Sequence, residues 1–366
     1  MPNEPLAKLT SFGQSIWLDY IRRDLFDGEL QNLIDDYSVR GETSNPAIFD
    51  KAIAGSDLYD SDVSGADSDD PEDIFFDLAI ADIKSACGFF RPVFDSSGGK
   101  DGFVSLEVSP RLAYKTDETI EQAEELWNRV DAPNVMIKIP GTEAGLPAIE
   151  ATIAKGINVN VTLLFSTDRH MDAADAYIAG LKKAQAAGID LSTINSVASF
   201  FVSRVDTLVD QQLGGIGSDA AKALEGKAAV ANAKIAYELA KDKFSGADWE
   251  ALVSAGANVQ RPLWASTSTK NPEYSDVKYV AELIGPDTVN TAPLDTIKDF
   301  ADHGEASQTL TEDVAAAHDV MAQLASVGID LHADTDKLEK DGVAAFIESY
   351  EDLLKSIDAK RTQLDG

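Results

Sequence analysis

The sequence predicts an α/β fold in the form of a single (β/α)8 barrel, and three observations lead there. Short apolar runs alternate with stretches of helical periodicity along most of the chain. The runs number about eight, the count at which parallel strands close into a barrel. The 366 residues suit such a barrel with insertions, and no linker rich in Pro, Gly or Ser divides them into two smaller domains. The expected organisation is one domain over residues 1–366, with an acidic insertion at about 50–102 between the second and third strands and extra helices at the termini.

The strand candidates, in order, are SIWLDY, DYSVRGET, FVSLEV, VMIKIP, INVNVTLLF, SVASFFVS, RPLWAST and TVNTAPL, each followed by room for a helix. Ile120, Ala123, Trp127 and Val130 mark the helix before the fourth strand, and Leu146, Ile149 and Ile153 mark the one after it, ended by Gly156. A further helix is expected from about Asp168 to Ala187, stopped by Gly188. The insertion contains DLYDSDVSGADSDDPED. Asp60, Asp62 and Gly65 mimic the start of a calcium loop, but Pro71 stands where its bidentate Glu is required, so the segment reads as a solvated acidic loop. SSGGKDG lacks the spacing of a phosphate loop and reads as a turn. The C-terminal stretch AAFIESYEDLLKSIDAKRTQL is amphipathic and is expected to cover the barrel or a partner subunit.

Composition excludes several classes of partner. Thirty-one basic residues against 63 acidic ones give a net charge of -32, unsuited to nucleic acid or to an anionic membrane surface. The acid excess reads as solubility or as adaptation of the surface to high salt. The stretch MPNEPLAKLTSFGQ has neither a basic n-region nor an apolar h-region, and no segment approaches transmembrane length, so a cytoplasmic protein is expected. Cys87 lies on an amphipathic stretch as a core residue, and four scattered histidines form no metal-ligand pattern.

Within VMIKIPGT, Lys138 has only apolar neighbours, as in a strand buried on both faces. Burial lowers the pKa of an ammonium and yields a neutral amine, a nucleophile towards carbonyls. The alternative is a strand-end lysine whose tip reaches water. Other polar residues intrude where strands run into their following loops, the face on which barrel chemistry collects. They are Asp19, Asn45, Glu107, Asn160, Thr162 and Ser199, with Arg204 and Lys270 just past the sixth and seventh strands. A buried lysine with two carboxylates, a threonine and amides suits Schiff-base chemistry, and the two late cations suit a phosphorylated substrate.

These residues resemble the transaldolase family. GETSNPAIF (Gly41 to Phe49) is similar to its asparagine-proline signature and IKIPGTEAGLPAI (Ile137 to Ile149) to its active-site lysine signature, while NVTLLFS, SVASFFVSRVD and LWASTSTKNP resemble its later strands. The similarity runs from about Ser15 to Pro293. It implies a (β/α)8 barrel that transfers a dihydroxyacetone unit between sugar phosphates without a cofactor, in the pentose phosphate pathway; separately, no metal is expected, and the chain is expected to be a monomer or homodimer. By position it makes Lys138 the Schiff-base residue, Asp19 the group that deprotonates the C4 hydroxyl, and Glu107 with Thr162 the holders of a relay water. Asn45, Asn160 and Ser199 match positions that bind the dihydroxyacetone hydroxyls, and Arg204 matches a phosphate-binding arginine. Two residues depart from the pattern: Glu42 replaces a small or apolar residue, and Lys270 replaces arginine, which makes a point-charge contact of a bidentate one. Alternation along SVASFFVS puts Phe201 on the face of Ser199 unless a bulge turns Phe200 inward. Its counterpart is phenylalanine in transaldolases and tyrosine in the related fructose 6-phosphate aldolases. A lyase of that second kind is the alternative activity, and an inactive sugar-phosphate-binding barrel is a third reading.

Overall fold

The structure is a computed structural model that describes residues 3–365. Eight parallel strands close in sequence order: β1 Gln14–Asp19, β2 Val39–Thr43, β3 Val104–Glu107, β4 Val135–Pro140, β5 Val159–Leu164, β6 Ser196–Phe201, β7 Arg261–Ala265 and β8 Thr288–Ala292. Closure is made by β1 pairing with both β2 and β8. The fold is the expected (β/α)8 barrel, and all eight strand candidates contain their observed strands or overlap them closely.

Side-chain alternation decides what fills the interior. Trp17 from β1 occupies the lower barrel, and a Cβ on Gly41 of β2 would lie 2.6 Å from its indole, so only glycine fits beside it. The indole Nε1 donates to Asp101 at 2.8 Å, and Arg261 donates to the Ser15 hydroxyl at 2.8 Å and the Thr288 carbonyl at 2.6 Å. This polar layer closes the end where strands begin. SSGGKDG supplies Asp101 from a turn in which Gly98, Gly99 and Gly102 have positive φ. The open end lies at the strand C-termini.

The structure corrects two expected boundaries. DYSVRGET is extended only from Val39, because Asp36 still ends the helix Glu29–Asp36 and Ser38 turns the chain with φ 56°. The acidic segment is partly helical instead of a loop throughout, although most of its acids stay exposed. It forms a short helix Asp60–Ser64 whose flank buries Tyr59 and Val63 completely. Three of its acids meet bases from distant parts of the chain: Arg23 reaches Asp62 at 2.5 Å, Arg361 reaches Asp69 at 2.5 Å, and Lys360 pairs with Asp60. Asp70 then caps the long helix Pro71–Ser96, on which Cys87 is buried. Among the described residues no helix is long and apolar enough to cross a membrane.

The last helix, Leu331–Asp365, lies over the open end of the barrel. It is strapped along its length. Arg169 contacts Glu339 at 3.1 Å, Arg111 contacts Glu351 at 2.7 Å, the Tyr350 hydroxyl donates to Glu72 at 2.8 Å, and Lys360 and Arg361 hold the acidic insertion. Of the two roles the amphipathic pattern allowed, it fills the first.

Candidate active site

A cavity of about 360 Å³ opens at the strand C-termini beneath this helix. Lys138 reaches it from β4 and is 5% exposed, so its tip does not reach bulk water. The ammonium donates to Glu107 Oε2 at 3.2 Å and to the Ser44 carbonyl at 3.2 Å. β3 and β4 place Glu107 opposite Lys138 in register, which makes the contact a direct result of strand pairing. Burial pushes the Glu107 carboxyl above its ordinary range, and the positive charge of Lys138 partly offsets that.

Asp19 ends β1 in the same cavity and accepts a hydrogen bond from Thr43 at 2.8 Å. Thr43 in turn lies 2.6 Å from Thr291 of β8. Burial raises the Asp19 pKa as well, against the charges of Lys138 and Arg204 and the Thr43 hydrogen bond. Two carboxyls with raised proton affinity therefore flank one buried amine.

Two buried oxygens near this cluster have no protein partner, Glu107 Oε1 and Thr162 Oγ1. Thr162 is presented by an irregularity in β5. The register with β6 shifts between Val161 and Leu164, and Leu163 adopts a left-handed φ of 61°, a conformation that costs a branched residue free energy on the order of 1–3 kcal/mol. Unpartnered buried polar oxygens in a polar site are where an ordered water is held.

Ser199 and Phe201 both line the cavity, whereas Phe200 points outward and packs edge-on to Trp264 at 6.1 Å. β6 therefore keeps regular alternation here. The Phe201 ring lies against Phe165 at 5.1 Å and under the Arg204 guanidinium at 5.2 Å. Asn160 does not line the cavity. It is fully buried, donating to Ser105 at 3.0 Å and accepting from Ser199 at 2.6 Å, so it orients the serine that faces the open space. Asn45 caps the helix Pro46–Ala54 through Oδ1, which accepts from Ile48 N at 3.1 Å and leaves its amide nitrogen for the cavity.

Arg204 and Lys270 stand together at the β6 and β7 side, with Lys270 donating to Ser268 at 2.7 Å. Lys51 lines the opposite rim, on the helix that follows β2. Among the described residues none of these three cations is salt-bridged to a carboxylate. A local basic mouth thus exists on a chain of net charge -32. The sequence reading missed Thr43, Thr291, Ser268, Lys51 and the contribution of the last helix. Period-two alternation through GETS and TVNTA marks the two threonines as inward-facing, and Ser268 lies two residues from Lys270, but no local pattern places Lys51 or a terminal helix at the mouth.

A family model described as Transaldolase/Fructose-6-phosphate aldolase matches residues 16–357. The chain belongs to this family. It is 51% identical to a transaldolase of Mycobacterium marinum (strain ATCC BAA-535 / M), over 100% of this chain and 98% of that one. It is 50% identical to a transaldolase of Mycolicibacterium smegmatis, again over 100% and 98% of the two chains. A transaldolase of Parafrankia sp. (strain EAN1pec) is 49% identical over 97% of each. These similarities extend through the acidic insertion and the last helix, beyond the motifs near the lysine.

Proposed function

We propose that this protein is a transaldolase, moving a dihydroxyacetone unit from sedoheptulose 7-phosphate to glyceraldehyde 3-phosphate through a Schiff base on Lys138. The observation that carries the reading is the buried Lys138 amine at the cavity floor, held between Glu107 and a backbone carbonyl with Asp19 nearby. Glu107, its proton affinity raised by burial, takes the ammonium proton and frees the amine. The amine attacks the C2 carbonyl of the ketose, and water held by the free oxygens of Glu107 and Thr162 relays protons as the carbinolamine loses water. Asp19 accepts the C4 hydroxyl proton, and the C3–C4 bond breaks as the iminium takes up its electrons. The resulting enamine attacks the acceptor aldehyde, and hydrolysis of the new imine returns free Lys138.

Arg204, Ser268 and Lys270 hold the phosphate, while Ser199, oriented by Asn160, and Asn45 hold hydroxyls of the three-carbon unit. No step of this scheme calls for a cofactor or a metal. Phe201, which lines the same cavity, favours transfer over release, since a ring without a hydroxyl cannot deliver a proton to the enamine. We place the enzyme in the cytoplasm, in the pentose phosphate pathway, as a monomer or homodimer. Incubation with fructose 6-phosphate and borohydride should leave a reduced dihydroxyacetone adduct on the peptide containing Lys138, and Lys138→Ala should abolish it. Labelling of a different lysine, or full activity of that variant, would overturn the assignment.

A further inference from the structure

The last helix does more than cover the barrel. Gly342, Ala345, Phe346 and Ser349 follow one another at helical spacing, and this stripe faces the mouth. A Cβ on Gly342 would lie 3.1 Å from Leu163, so the helix sits closely on the irregular end of β5. Ala345, Phe346 and Ser349 line the cavity itself. The Phe346 ring centroid is 5.6 Å from Lys138 Nζ, within reach of a cation–π contact, and the side chain is only 9% exposed. Phe201 walls the cavity from β6, and Phe346 roofs it from a different part of the chain.

We infer that Phe346 is a specificity-determining residue for the reaction: it roofs the Schiff-base nitrogen and keeps water from the enamine, so that the three-carbon unit leaves only to an aldehyde. The inference rests on the Lys138 Schiff-base reading. Its physical basis is the chemistry of the competing loss. In that side reaction C3 of the enamine takes a proton from water, hydroxide adds to C2 of the iminium, and the C2–N bond breaks with return of a proton to nitrogen. One water is consumed, and free dihydroxyacetone and the lysine amine are released. The second and third steps are shared with the hydrolysis that ends productive transfer, so the loss is governed by the first, in which water must reach C3 of the enamine. An aromatic face at that place excludes water while tolerating the cationic iminium, which a purely steric roof of aliphatic carbon does less well.

The test is a partition ratio: dihydroxyacetone released per unit transferred, measured with fructose 6-phosphate at a fixed concentration of erythrose 4-phosphate. The ratio is independent of how much enzyme is folded, because both products come from the same intermediate. Phe346→Ala should raise it about tenfold or more, while the borohydride-trapped adduct still forms on Lys138. If the alanine variant fails to fold, Phe346→Leu carries the test, with a rise of about threefold expected. A ratio no higher than the parent's in the folded variant overturns the inference and reduces Phe346 to a packing residue, whose loss would lower Tm and total activity alone. Absence of any trapped adduct on the parent's Lys138 would instead overturn the Schiff-base reading.

Discussion

Glu42 provides the sharpest thermodynamic test of this structure. It lies on β2 between Gly41 and Thr43, which face the barrel interior, so it points outward against the helix Pro71–Ser96. It is fully buried, and neither carboxyl oxygen has a partner. Burial, with the nearby Asp82 acting in the same direction, raises its pKa well above the ordinary 4.5. The folded protein therefore keeps a proton that the unfolded chain releases above pH 4.5. Stability from this group is fully present below that pH and falls by about 1.4 kcal/mol per pH unit until the folded pKa is passed. Glu42→Met keeps the length of the side chain and removes the titration. Over the pH units that lie below the folded pKa the variant should gain on the parent by about 1.4 kcal/mol per unit, or roughly 2 °C in Tm for a chain of this size. A further pH-independent gain of about 1–3 kcal/mol reflects the loss of unpartnered polar atoms. Thermal melts of the two proteins at pH 5, 6, 7 and 8 give the difference directly, since every other titrating group is common to both. A Tm difference constant across that range, or a variant less stable than the parent at pH 8, would refute the buried, proton-bearing carboxyl.

Two further substitutions separate roles within the site. Asp19→Ala should accumulate the unbroken ketose adduct under borohydride while turnover falls by about 10²-fold or more, whereas Glu107→Gln should slow the appearance of any adduct. Equal trapping rates in parent and both variants would contradict that division. Phe201→Tyr places a phenol hydroxyl in the cavity that Lys138 enters and should raise dihydroxyacetone release from fructose 6-phosphate without acceptor. Rapid acceptor-free release by the parent itself would favour the lyase over the transferase.

Strand chemistry was legible in the sequence because strands have a short, rigid period. Lys138 in an apolar run, Glu107 in FVSLEV and Thr162 in NVTLL fall on a common ring by their places along the strands, and the β3–β4 register brings the first two into contact. Alternation also fixed Phe201, which β6 presents without a bulge. Position along a strand does not fix depth, however. Asn160 and Lys138 are register partners, yet the short Asn160 amide is taken up by Ser105 and Ser199 while the longer lysine reaches the cavity. The acidic segment was misread for a different reason. Its composition is that of a solvated loop, and only the arrival of Arg23, Lys360 and Arg361 from remote positions makes it an ordered surface. Contacts of that range leave no local trace. The same holds for Phe346, whose amphipathic helix is plain in the sequence while its resting place is not.

The mouth of this barrel is assembled from two parts with separate mechanical origins. Below, eight strands hold the reacting groups in a hydrogen-bonded ring, where a change at one position disturbs its neighbours on both sides. Above, one helix offers three cavity-facing side chains, Ala345, Phe346 and Ser349, and its hold on the barrel comes from other residues. Variation at Ala345 and Ser349 can therefore reshape the entrance while Phe346 keeps its place over the amine. A combinatorial library confined to those two positions is a compact way to look for enzymes that accept bulkier or less polar aldehydes, since the scaffold and the nucleophile stay constant throughout.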